Sequence, residues 1–165
     1  MAVVALKSDV MTKLETAPVP LMVSSKNVAG VILGATAWAS KAAGDNATST
    51  YRMLRVHSSW RLRTMILSIG ALGALGTVNV GVYQTIANGG AVVSAITFGS
   101  AIDVSATYRS DIVATGANAD DMAEQLWQRL GLSEDSNRYY DLVIELQHAG
   151  AGNAVKLGLD ISYQK

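Results

Sequence analysis

His57 is followed directly by Ser58 and Ser59, which sets an imidazole beside two hydroxyls, the residue types of a general base and its nucleophile. Chain neighbours in a strand or turn do not line up as a catalytic dyad, and no flanking residue supplies an orienting acid. The segment therefore reads as a turn carrying a hydrogen-bonded histidine. His148, the second of two histidines, closes an apolar alternation and reads as a polar group at a loop edge. Their separation is not metal-ligand spacing. With no cysteine in the chain, thiolate metal sites, disulfides and sulfur nucleophiles are excluded.

Acid pairs stand at Asp120-Asp121 and Glu134-Asp135. The first suits the positive end of a helix dipole and the second a solvated loop. A glycosidase sets two carboxylates across a cleft, and the sequence gives no positive sign of that. Gly70, Gly73 and Gly76 do not follow the dinucleotide fingerprint, and no Gly-Lys-Ser/Thr loop follows a strand. The expectation is a protein that is not an enzyme, with no cofactor and no metal.

Charge is more informative. The 165 residues carry 13 basic and 13 acidic side chains, with no net charge, and only 16% are charged. An ordinary soluble domain has about 25%. Half of the residues are hydrophobic, so the chain is built to bury surface against partners as well as against itself. Arg52, Arg55, Arg61 and Arg63 fall in a stretch, residues 46–102, that has no acid at all, whereas acids outnumber bases after residue 102. Two readings follow. The arginines pair with acidic C-terminal elements inside one fold, or they form a basic patch for an acidic partner or for a second copy. Zero net charge and the lack of interleaved aromatics speak against nucleic acid.

The elements that would position these groups are mostly strands. Residues 1–27 read as an extended arm, because Pro18-Val19-Pro20 favours polyproline II and cannot sit in a central strand. Leu21 and Met22 follow and need a cover, so Pro18 to Met22 join the four arginines as candidate partner contacts. Residues 28–165 form the body. A first strand is expected over 28–38, a loop over 41–50, and strands over 51–56, 60–69, 77–84 and 91–98. Further short strands are expected near 102–104 and 107–113. Trp60, Leu62 and Ile66 are expected to share a face. The uncharged window 65–83 is long enough to span a bilayer, but Val78, Val80 and Val82 alternate with polar or small residues, which is strand rather than helix periodicity. Asn88-Gly89-Gly90 supplies a tight reversal.

One helix is expected over 120–130. Met122, Leu126, Trp127 and Leu130 share its apolar face, Glu124 answers Asp121 in a capping box, and Gly131 stops it. That face should plug an open end of the core. Tyr140, Leu142, Ile144 and Leu146 alternate with polar residues, as do Val155, Leu157, Leu159, Ile161 and Tyr163. The short Gly-rich link between these last two strands predicts a hairpin. About eight strands at near-regular spacing predict a mainly β protein, a jelly-roll-like antiparallel sandwich with one short helix.

The stretches YRMLRVHSS (51–59), TVNVGVY (77–83), ANGGAVV (87–93) and LWQRLGLSEDSNRYYDLVIEL (126–146) resemble small virion structural proteins of tailed double-stranded DNA bacteriophages. That group includes capsid decoration, or cement, proteins. The resemblance spans residues 51 to 163 and leaves the arm unmatched. It implies a sandwich on the capsid exterior of the virion, with the major capsid protein and further copies of itself, as a dimer or trimer, for partners. It implies no membrane partner and no catalytic residues. A tail, fibre or carbohydrate-binding sandwich is the alternative; it would need an exposed aromatic platform, for which Trp38, Trp60 and Trp127 are the candidates.

Overall fold

The computed structural model of the chain describes residues 5–7, 32–113, 123–148 and 153–165. The described residues form strands β1 (Ala5–Lys7), β2 (Leu33–Lys41), β3 (Thr50–His57), β4 (Arg61–Ile69) and β5 (Thr77–Gln84). A 3-10 turn, Ile86–Asn88, leads to β6 (Val92–Asp103) and β7 (Tyr108–Asp111). Helix α1 (Leu126–Arg129), β8 (Tyr139–His148) and β9 (Val155–Gln164) complete the order.

Two sheets result, β1-β3-β8-β5-β6 and β2-β9-β4-β7. From β2 onward the pairing is nested. The first strand of this set pairs with the last (β2 with β9), the second with the last but one (β3 with β8), then β4 with β7 and β5 with β6, all antiparallel. Successive nested pairs go to alternate sheets, and β9–β4 and β8–β5 pairings stitch each sheet together. One core joins the two, with Tyr51, Val80, Leu142 and Ile144 from one sheet meeting Met65, Leu67, Leu157 and Leu159 from the other. The protein is a mainly β sandwich, as its alternation predicted.

The β8–β9 hairpin is not formed. β8 lies between β3 and β5, whereas β9 lies between β2 and β4 in the opposite sheet. Alternation tells which face of a strand is buried and says nothing of its neighbour, so two consecutive strands with matching patterns need not pair. The β5–β6 hairpin does form, with Gly89 (φ 94°) and Gly90 (φ 67°) taking the left-handed conformations of the reversal.

Two bulges set which side chains face inward. In β4 the register shifts between Leu62 and Thr64, so Leu62 and Met65, an odd number apart, both enter the core. Ile66 consequently falls on the opposite face from Trp60 and Leu62, which corrects the expected grouping. The first body strand starts later than expected, at Leu33, and residues 92–103 form one long strand rather than two short ones.

The helix is also shorter. Within the described residues it starts behind Gln125, whose side chain is reciprocally bonded with Gln128 as a capping box in place of Asp121 and Glu124. Asp120, Asp121 and Met122 lie outside the described residues. Leu126 enters the core and Leu130 packs against it, whereas Trp127 is half-buried and donates its indole N–H to Gln125 Oε1. The backbone N–H groups of Leu126 and Trp127 reach the carbonyls of Trp60 and Ser58, which fixes the helix over the turn that follows β3.

Candidate functional site

β3 carries the first two arginines. A bulge between Arg52 and Leu54 puts Arg52 and Arg55 on one face although their spacing is odd. Both grip Asp141 of β8: Arg52 Nη1 lies 2.9 Å from Oδ2 and Arg55 Nε lies 2.9 Å from Oδ1. Arg52 also donates to the carbonyls of Gln84 and Gly90, so this buried pair anchors both arms of the β5–β6 hairpin. Arg61 and Arg63 stand at the start of β4 in the other sheet. Arg61 is exposed, and Arg63 donates to Gln164 Oε1 at 2.6 Å. The four arginines are therefore split between two sheets, and the first two spend their charge inside the fold. Pro18, Val19, Pro20, Leu21 and Met22 lie outside the described residues.

Around His57 the hydroxyls and the acid bond in a pattern that does not build a triad. His57 Nδ1 and Ser59 Oγ are 2.8 Å apart within the turn, while Asp135 accepts from Ser58 rather than from the imidazole. Ser58 and the Asn137 amide hold the Asp135 carboxyl below the usual carboxylate range, a local turn effect at the surface. His148 is exposed at the end of β8. Among the described residues no group of three or more His, Asp or Glu could hold a metal ion, and no helix is long and apolar enough to cross a membrane.

The outer face of the four-stranded sheet holds a groove of about 320 Å³. Its axis is one cross-strand row, Trp38 of β2, Gly158 of β9, Ser68 of β4 and Arg109 of β7. Gly158 leaves room for the Trp38 ring: a Cβ there would stand 2.5–2.7 Å from three atoms of its six-membered ring. The indole lies over the sheet with 46% of the residue exposed. Lys156 and Asp160, two residues to either side of Gly158, line the groove with Arg109. Trp60, by contrast, is buried and stacked on Tyr163 with centroids 4.2 Å apart. Of the three tryptophans, Trp38 is the most exposed and presents a platform. Its signal in the sequence was a glycine inside the strongly alternating β9.

The fold recurs in phage capsids. A chain from the capsid of Ralstonia phage GP4 matches with a TM-score of 0.61 at 12% identity, over 87% of this chain and 90% of that one. A chain from the capsid asymmetric unit of cyanophage Pam1 matches with a TM-score of 0.54 at 11% identity, over 90% of this chain and 94% of that one. At such identities the likeness is one of fold. No family model matches the chain, and no curated protein sequence matches it.

Proposed function

We propose that the chain is a non-enzymatic structural protein of a tailed phage virion, a decoration protein bound to the exterior of the assembled capsid. The observation that carries this reading is the near end-to-end likeness to chains of two phage capsids. Because the covered shares are almost equal on both sides, those chains are close to this one in length, which suits an accessory subunit. We read the nested pairing of β2 to β9 as a jelly roll.

The surface supports the same reading. Ile86, Val92 and Ile96 at the β5–β6 end are about half exposed, apolar area that a partner subunit would cover. At the other edge of that sheet, β1 adds parallel to β3, with Ala5 opposite Thr50 and Lys7 opposite Arg52. An edge that accepts an extended segment through main-chain hydrogen bonds is equally able to accept it from a second copy. Copies that bind only the assembled shell of major capsid protein stabilise it by mass action.

Co-sedimentation with undecorated, expanded shells tests the reading. Saturable binding at a fixed ratio to the major capsid protein is expected, and weaker binding once residues 1–27 are removed. A chain that stays in the supernatant at micromolar concentration overturns it and leaves a tail or fibre role.

A further inference from the structure

The groove beside Trp38 lies on the four-stranded sheet, whereas Val92 and Ile96 belong to the other sheet, and its chemistry differs from that apolar area. One face of the indole is spent on the Gly158 backbone, leaving the other toward solvent. A sugar ring has a C–H face that stacks on such a surface and a rim of hydroxyls that needs both donors and acceptors. The rim chemistry is present. Asp160 accepts, Lys156 and Arg109 donate, and Ser68 does either. None of the three charged groups makes an ion pair or hydrogen bond among the described residues. Along β9, Lys156 and Asp160 are separated by about 13 Å of strand, which brackets the indole between a cation and an anion. Two cations against one carboxylate leave the groove with a net positive charge.

We propose that this groove is a binding site for an acidic pyranose, with the ring stacked on Trp38, its carboxylate held by Lys156 and Arg109, and its hydroxyls by Asp160 and Ser68. The volume is at the lower end of ligand sites and suits a short saccharide. A virion protein with such a groove on each copy gains avidity on a glycan surface from weak single contacts.

Titration calorimetry of the full chain with trigalacturonate, and with maltotriose as the neutral comparison, tests the proposal. Saturable millimolar or tighter binding of trigalacturonate is expected, weakened by salt, with maltotriose bound less well. Trp38→Ala should weaken the acidic sugar by roughly tenfold or more. Lys156→Gln should weaken trigalacturonate and leave maltotriose unchanged, a separation that general loss of structure would not produce. Far-UV dichroism checks the fold of each variant, and Arg109→Gln serves in place of Trp38→Ala if that chain does not fold. Absence of saturable binding for either sugar, or binding equal in the variants, overturns the proposal. If the sugars give no binding while Lys156→Gln lowers co-sedimentation with shells, the groove is a protein contact and the proposal likewise fails.

Discussion

Arg52 and Asp141, on neighbouring strands of the five-stranded sheet, meet at 2.9 Å with the carboxylate wholly buried. Arg55 takes the other carboxylate oxygen only because the β3 bulge turns an odd spacing into a shared face. The same guanidinium of Arg52 holds two hairpin carbonyls, so a single buried charge cluster connects β3, β8 and the β5–β6 turn. Removing the anion leaves two cations facing each other without compensation.

Asp141→Asn should therefore destabilise the fold by about 3–5 kcal/mol. Arg55→Gln should cost about 1 kcal/mol, since that side chain keeps partial access to water. Urea denaturation of the three chains checks the order. Equal midpoints for Asp141→Asn and the parent would show that the cluster contributes nothing.

A second buried polar contact is made by Tyr51, the residue before Arg52 in β3. Tyr51 donates its hydroxyl to Asp45 Oδ2 at 2.6 Å, and the same oxygen accepts from the Ala42 amide, which orders the 42–49 loop. Tyr51→Phe should lower stability by about 1–3 kcal/mol, because the buried Asp45 carboxylate then keeps only the Ala42 amide on that oxygen. Thermal melts followed by near-UV dichroism read the loss. An unchanged melting temperature would mean that water replaces the hydroxyl.

Strand existence was legible because the core-facing residues of β5, β8 and β9 recur at period two: Val78, Val80 and Val82, then Tyr140, Leu142, Ile144 and Leu146, then Leu157, Leu159, Ile161 and Tyr163 all enter the core. Strand pairing was not legible, since β9 meets β2 and β4 through contacts distant in sequence. Bulges were hidden too. Nothing in the residue types around Met53 or Arg63 marks an extra residue, yet each shift reassigns every later side chain of its strand. The arginine cluster showed the same limit. Composition offered either an outer patch or internal pairing, and only the β3–β8 register puts Arg52 and Arg55 against Asp141. The groove needed Trp38 and Gly158 to be set side by side, a relation that spans most of the chain.

Two glycines separate backbone crowding from side-chain crowding. At Gly81 a Cβ would stand 2.3 Å from the Ser94 carbonyl oxygen, because β6 folds across β5 there. Backbone cannot step aside, so Gly81→Ala should cost about 3 kcal/mol or more, or yield insoluble protein. At Gly158 the obstacle is the indole of Trp38, a side chain with an open outer side. Gly158→Ala should lift the indole into water, shift tryptophan emission to the red and change the unfolding free energy from urea denaturation by no more than about 1 kcal/mol. A midpoint loss as large as that of Gly81→Ala would place the ring in a closed site.

Phenol ionisation should split with environment. Burial, followed by the nearby Glu145 carboxylate to which it donates at 3.2 Å, pushes the Tyr83 hydroxyl up to about 12. Burial and the Asp45 contact push Tyr51 higher still, and burial also raises Tyr163. Each is neutral in the folded chain at a pH where the unfolded chain, near 10, has begun to lose the proton. Between those values the unfolded state binds fewer protons, so stability is full below about pH 10 and falls as pH rises toward 12. Absorbance titration at the phenolate band should show Tyr83 rising late, with Tyr51 appearing only as the fold is lost. In Glu145→Gln the Tyr83 step should move down, toward 10, because the carboxylate no longer opposes the phenolate. An unmoved step in that variant would assign the whole upward shift to burial.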